Sequence, residues 1–470
     1  MDLQHWLGRA VEAVNGWSAG FGPFTPHPSH HVGDEEFGAA FADLTKRLQD
    51  NYPFFHPRYV GQMVKPPHPA AIVGYLAAML VNPNNHAREG GPATADMERE
   101  VIAELAAMFG LPDHLGHLTT SGTMGNLEAL YVARESHPGA GVAYSADSHF
   151  THARMCRVLG MAGHSVPVDL HGRMDLDALE ALLRRERIGT VVLTAGTTGT
   201  GAVDPVHGAL ALKERYGVRL HVDAAYGGFF TLLAGQGLFD PRPWEAIPSC
   251  DSVVVDPHKH GLQPYGCGAV LFADPAVARH YRHDSPYTYF TESDLHLGEI
   301  SLECSRSGAA AAALWLTLRL LPATPDGLGR VLLPGLRAAR RWAGLLQDSP
   351  HLTLFQPPEL DIVTYFPSEP TLAGVDAATA RVLNAGMAGA DPVYVSALRV
   401  DGHALTGRHP RLVADAPHAR VLRSVLIKPE AGDILEHLHR RLEELAGGRS
   451  HPCPVPSSPS DRPPAPIPDP

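Results

Sequence analysis

Residues 218–228, VRLHVDAAYGG, and residues 251–272, DSVVVDPHKHGLQPYGCGAVLF, decide the architecture. In both stretches a short, mainly apolar run stops at a turn of small or Pro- and His-rich residues, and a further apolar run follows from Gly266. The same grammar appears upstream in GVAYS (141–145), HSVPVDL (164–170) and TVVLTAG (190–196), with a helical pattern over 176–187 between them. Apolar strands interleaved with helices are what a parallel sheet covered on both faces requires. The reading is therefore α/β, with a mostly parallel central sheet in a large domain over residues 66–325.

Outward from that centre the pattern changes twice. Phe37, Ala40, Phe41, Leu44 and Leu48 recur at helical spacing within an N-terminal helical segment, residues 1–65. Helices are expected over 70–81 and 97–109, separated by a polar Asn/Gly loop. Beyond Pro322 comes a helix through 336–346, then strand-like LTLF, DIVTYF, VYVSALRV and VLRSVLIK. A last helix places Ile434, Leu438, Leu442 and Leu445 on one face. This predicts a smaller α+β domain over 326–448. Residues 449–470 are rich in proline and poor in large apolar residues, so a disordered tail is expected there.

With 44% hydrophobic and 19% charged residues in 470, the chain has enough apolar surface for a sizeable core. A net charge of −12 without a basic block argues against nucleic acid as a partner. The longest apolar stretch, Ala70–Val81, is too short for a membrane span, which needs about 20 residues. The amino-terminal stretch MDLQHWLGRAVEAVNGW contains Asp2 and Glu12 and lacks the basic start and continuous apolar segment of a secretory signal, so a cytoplasmic protein is expected. The five cysteines are scattered and never spaced CxxC, which argues against a disulfide framework. The histidines form no metal-binding spacing beyond the loose pair His149 and His152, so no metal is expected.

Lysine is the informative residue type: only Lys46, Lys65, Lys213, Lys259 and Lys428 are present. Lys46 and Lys213 read as solvated helix positions. Lys259 instead follows one buried-looking strand and precedes another, where an amine can be activated to form a Schiff base. TTSGTMGNLEAL (119–130) reads as a turn into a helix, whose free amides and Thr123 hydroxyl suit a phosphate, although an ordinary helix cap uses the same residues. Asp223 ends an apolar strand, where a carboxylate is costly without a cation. It either caps the next turn or pairs with a protonated ring nitrogen, with Ala224 and Ala225 leaving room for a flat ring.

Taken in order, the phosphate turn, His149 in SHFTHARM, Asp223 in HVDAAYGG and Lys259 in DPHKHG resemble the group II pyridoxal-phosphate-dependent amino acid decarboxylases. HPRYVGQM, GPATADMEREVIAEL and SRSGAAAAALW are similar to family segments in the same order, and the resemblance covers roughly residues 54–445. It implies fold type I, the aspartate-aminotransferase type, and a homodimer with shared active sites. Pyridoxal 5'-phosphate is the implied cofactor, held by Lys259, with Asp223 on its ring nitrogen and His149 stacked on its ring. Gly122, Thr123 and His258 match the phosphate site, and Ala225 the ring's surroundings; Thr198, at a strand end in TAGTTGTG, either reaches the ring or serves its own turn. Where the family often shows two glycines before the threonine, Ser121-Gly122-Thr123 has one.

By the same resemblance an L-amino acid loses CO2 and leaves as an amine, with Tyr287 as the acid that reprotonates Cα and Tyr289 as its competitor. Tyr59, Gln62, His68 and Asn85 fall in the stretch similar to the family's substrate wall, and Arg306 either holds an anionic substrate group or pairs with an acid. An aminotransferase or a cysteine-desulfurase-like lyase would reuse the same Asp, His and Lys. A non-catalytic scaffold would have no chemical need of them.

Overall fold

The computed structural model describes residues 1–281 and 297–448. Seven strands form the central sheet: β1 (Leu115–Thr119), β2 (Gly141–Ser145), β3 (Gly163–Val166), β4 (Ile188–Thr194), β5 (Arg219–Asp223), β6 (Ser252–Val255) and β7 (Gly268–Phe272). Their spatial order is β1-β7-β6-β5-β4-β2-β3. Strands β6, β5, β4, β2 and β3 run parallel, while β7 is antiparallel to both β6 and β1. Strands β4, β6 and β7 are buried along their whole length, as the continuous apolar runs require.

The reversal at β7 has a simple cause. A parallel return needs a crossover of a dozen or more residues, usually a helix. The stretch 256–267 is a helix-free loop, so the chain doubles back, and this loop carries Lys259. Strand β1, LGHLT, was not anticipated, because His117 and Gly116 interrupt its apolar pattern. His117 is nevertheless fully buried, its Nε2 2.8 Å from Glu128 Oε2. A Cβ at Gly116 would lie 2.8 Å from the Val270 carbonyl oxygen, so close strand pairing accounts for the glycine.

Five helices precede or follow these first strands: α1 (Leu3–Ala19), α2 (Asp34–Leu48), α3 (Pro69–Val81), α4 (Pro92–Met108) and α5 (Gly122–Ser136). Helix α4 begins five residues before the expected Met97, with Pro92 in its first turn, where the missing N–H costs nothing. The second sheet is antiparallel, β8 (Leu352–Gln356), β9 (Ile362–Pro367), β10 (Ser396–Asp401) and β11 (His418–Val425) in the order β10-β11-β9-β8. Helices Arg330–Gln347 and Leu435–Ala446 bury Trp342, Leu438 and Leu442 against it. Among the described residues no helix is long and apolar enough to cross a membrane.

Candidate active site

The parallel strands end along one edge of the central sheet, and the loops that leave this edge enclose a cavity of about 170 Å³. Thr194 and Asp223 are register partners at the ends of β4 and β5, which sets them side by side in its wall. Helix α5 contributes its N-terminus. Ser121 caps it, its Oγ accepting from the Met124 amide at 3.3 Å, and the amides of Gly122 and Thr123 fall in the first turn, where no intrahelical acceptor exists. Gly122, Thr123, His149, Thr198, Asp223, Ala225, His258 and Lys259, expected together from the sequence, all line this cavity.

Asp223 is held by three donors. His152 Nε2 donates at 2.8 Å and Asn126 Nδ2 at 3.2 Å, both to Oδ2, while the Ala225 amide donates to Oδ1 at 3.1 Å. Burial by itself raises the carboxyl pKa. The His152 hydrogen bond and the charge of Lys259 outweigh it, and Asp223 ends well below the usual carboxylate range. Behind Asn126, His221 donates from Nε2 to Asn126 Oδ1 at 2.8 Å and accepts the Ser252 hydroxyl at Nδ1, 2.9 Å away. Burial pushes the His221 pKa down to about 3, so this imidazole is neutral and its tautomer is fixed by its two neighbours. The amide of Asn126 is thereby oriented toward Asp223.

Lys259 Nζ lies 2.9 Å from Asp256 Oδ2. Burial works to lower the amine's pKa, but the Asp256 carboxylate and, farther off, Asp223 overcome it and set the value above the ordinary one. His258 turns its Nδ1 onto the Cys267 carbonyl at 2.8 Å, leaving Nε2 3.5 Å from Asp256 Oδ2. His149 Nδ1 accepts from the Thr151 amide at 3.2 Å, and burial holds its pKa below the ordinary value, so the ring is neutral at pH 7.

These residues fit a phosphorylated aromatic aldehyde. An amine stands beside a carboxylate, a second carboxylate is buried across the cavity, and a helix N-terminus opens on it. Thr151 Oγ1, Thr194 Oγ1 and Asp256 Oδ1 are buried in its wall without a hydrogen-bond partner among the described residues. A Cβ at Gly122 would approach the Asp256 carboxylate oxygens to 2.8 and 2.9 Å, so only glycine leaves the cradle open.

The expected substrate residues are not brought to this cavity within the chain. His68 caps α3, its Nδ1 accepting from the Ala70 amide at 3.2 Å, and Gln62 is exposed. Tyr59 is buried, its carbonyl accepting from Lys428 Nζ at 2.6 Å. Asn85 is bonded to Glu98 at 2.7 Å and to the Thr94 hydroxyl at 2.6 Å. Arg306 Nη1 lies 3.0 Å from Glu98 Oε1 and donates to the Leu118 carbonyl, while its Nε and Nη2 have no hydrogen-bond partner among the described residues. Tyr287 and Tyr289 lie outside the described residues.

Sequence reasoning passed over Asn126, Thr151, Thr194 and Asp256, and saw His152 only as half of a loose metal pair. Their spacing carried a signal: Asn126 is one helical turn beyond Gly122, and Asp256 three residues before Lys259. It also missed Arg423, which lines a larger cleft of about 610 Å³ that shares His149 and Thr198 with the cavity. Arg423 is buried, bonded through Nε to the Gly199 carbonyl and through Nη1 to the Gly61 carbonyl, while its Nη2 has no partner among the described residues. Among the described residues no three His, Cys, Asp or Glu side chains gather as a metal-binding set.

The chain is similar to known proteins in sequence and in fold. Residues 34–365 match the family model of the pyridoxal-dependent decarboxylase conserved domain. The L-tyrosine decarboxylase of Enterococcus faecium is 28% identical over 390 residues, covering 62% of this chain and 64% of its own length, so the chain spans just under two thirds of that relative. A probable L-aspartate decarboxylase of Halobacterium salinarum is 33% identical over 273 residues, covering 57% of this chain and 72% of that protein. In fold, the chain is similar to Oryza sativa TDC, solved with PLP and tryptamine, at a TM-score of 0.77 and 17% identity, with 95% of this chain and 98% of that chain covered. Mouse CSAD gives 0.76 at 20% identity, with 90% and 92% covered.

Proposed function

Because the chain belongs to the pyridoxal-dependent decarboxylase family, with pyridoxal phosphate as its cofactor, we propose that it decarboxylates an L-amino acid to CO2 and the corresponding amine. The observation that carries this reading is the single cavity in which Lys259, Asp223, His149 and the α5 N-terminus converge. When bound, the cofactor supplies an electron sink for the pair released as the bond from Cα to the carboxylate breaks.

The chain's own residues do the rest. Lys259 would hold the cofactor through its amine, which Asp256 faces at 2.9 Å. Asp223, kept ionised by His152 and Asn126, holds a proton on the ring nitrogen. The amides of Gly122 and Thr123, with the Thr123 hydroxyl and His258, receive the phosphate. His149, neutral and lining the same cavity as Thr198 and Ala225, would confine the cofactor ring there. Arg423 offers its Nη2 to an anionic substrate group; Arg306, whose Nη1 pairs with Glu98, also has an Nη2 without a partner among the described residues, but only Arg423 of the two lines the cleft that shares His149 and Thr198 with the cavity. Tyr287 as the acid that returns a proton to Cα rests on the resemblance of its segment.

The functional unit in this reading is a homodimer. Helices α1 and α2 expose Trp6, Trp17, Phe37, Phe41, Leu44 and Leu48, and α2 buries no residue within the chain. Such a face suits a second copy.

The test is to load the purified protein with pyridoxal phosphate, offer a panel of L-amino acids beginning with tyrosine and aspartate, and measure CO2 and amine together. The expected result is stoichiometric CO2 and amine from one acid, lost in Lys259→Ala. A keto acid without CO2 would replace this reading with transamination.

A further inference from the structure

Tyr226 belongs to the turn that follows β5 and lines the cofactor cavity beside Ala225. It is buried, and its hydroxyl donates to Asp361 Oδ1 at 2.5 Å. Burial, and then the charge of Asp361, raise the tyrosine pKa well above its ordinary value, so the hydroxyl keeps its proton and remains a donor. Asp361 does not belong to the central sheet. It immediately precedes β9 of the second sheet, is 1% exposed, and its backbone carbonyl accepts from the Leu426 amide at 2.8 Å.

The other oxygen of the same carboxylate faces the loop that carries Lys259. Asp361 Oδ2 lies 3.5 Å from Nε2 of His260, the residue after Lys259, and the His260 ring packs at 4.7 Å on the Tyr226 ring. The loop behind Lys259 is tightly set. A Cβ at Gly261 would meet Pro257 Cα at 2.7 Å, and Leu262 adopts a left-handed φ of 62°, a conformation that surrounding contacts must maintain. The turn at Tyr226 is equally constrained: the Gly227 amide donates to the Ala195 carbonyl at 2.9 Å, and a Cβ at Gly227 would lie 2.1 Å from that oxygen. One buried carboxylate therefore hydrogen-bonds the turn after β5 and lies 3.5 Å from the ring next to Lys259, a proximity without a hydrogen bond, and it reaches both from a different sheet.

We infer that Asp361 is a positioning residue for the cofactor: through the Tyr226 hydroxyl and the His260 ring it fixes the turn bearing Ala225 and the loop bearing Lys259. The inference rests on the cofactor assignment, but not on which reaction follows. Its test accordingly reads cofactor retention, so that a failure here is distinct from a failure of decarboxylation.

The experiment measures the dissociation constant of pyridoxal phosphate for the full chain, by visible absorption and ultrafiltration, in Tyr226→Phe, Asp361→Ala, Asp361→Asn and the Tyr226→Phe/Asp361→Ala double variant. Loss of a hydrogen bond to a charged group corresponds to roughly a tenfold weakening. The expected result is about that rise for Tyr226→Phe and for Asp361→Ala, with the double variant no weaker than Asp361→Ala. Asp361→Asn, which keeps an acceptor for the hydroxyl, stays within about threefold of the parent. A general loss of packing would not be rescued by asparagine. Wild-type retention in Tyr226→Phe, or a double variant whose loss is the product of the two single losses, would overturn the inference.

Discussion

In the proposed reading Lys259 would meet the cofactor with the wrong charge. Its ammonium is paired with Asp256 at 2.9 Å, and its pKa lies above the ordinary lysine value despite burial. A protonated amine is no nucleophile, so the fraction able to attack an aldehyde is small at pH 7 and grows as pH rises toward the pKa. Removing the Asp256 charge leaves burial as the dominant influence, and burial favours the neutral amine. Asp256→Asn is therefore expected to move the pH dependence of covalent cofactor attachment to lower pH, with attachment at pH 7 faster by about tenfold if the lysine's pKa falls by about 1. Stopped-flow absorption on mixing the cofactor-free protein with pyridoxal phosphate across pH checks this. An unmoved profile would mean that Asp256 does not govern the lysine's proton.

At the scale of elements, the turn into α5 is set by the space available at one atom. A Cβ at Gly122 would press on both Asp256 oxygens and approach the Ala225 Cβ at 3.1 Å. Alanine is otherwise favourable in a helix, so Gly122→Ala is expected to leave α5 intact. The steric cost, about 1–3 kcal/mol, falls on the cavity and weakens cofactor binding by roughly tenfold to a hundredfold. Circular dichroism of the cofactor-free variant together with a cofactor titration separates the two effects. Elements of this kind are legible in the sequence where their pattern is local: β4 and β6 are continuous apolar runs, and the Lys259 and Asp223 turns interrupt such runs with residues that do not belong in a core. Strand β1 is not legible, because His117 is acceptable there only through Glu128, contributed by α5. The relay from His221 through Asn126 to Asp223 is hidden for the same reason: it joins a strand to a helix 95 residues away and returns, so no sequence window contains it.

At the scale of the molecule, the unpartnered surface lies at the N-terminus. Helix α1 packs on α3, whereas the aromatic face of α2 stands free, with Phe37 64% and Phe41 55% exposed and their rings stacked at 6.3 Å. The hydrophobic residues of α2 do form a helix face, but periodicity tells only that a face is apolar, not what covers it. Covering one phenylalanine contributes about 2 kcal/mol, and a two-fold interface counts every change twice. Phe37→Asp/Phe41→Asp also introduces charges that a closed apolar interface cannot solvate. The doubly substituted chain is thus expected to behave as a monomer at concentrations where the parent is a dimer, as read by light scattering coupled to size-exclusion chromatography. If the active sites are shared between copies, its decarboxylation falls together with its mass and returns at high protein concentration. A parent that is itself monomeric would remove the second copy as the occupant of this face. A variant that stays dimeric would place the interface elsewhere on the chain.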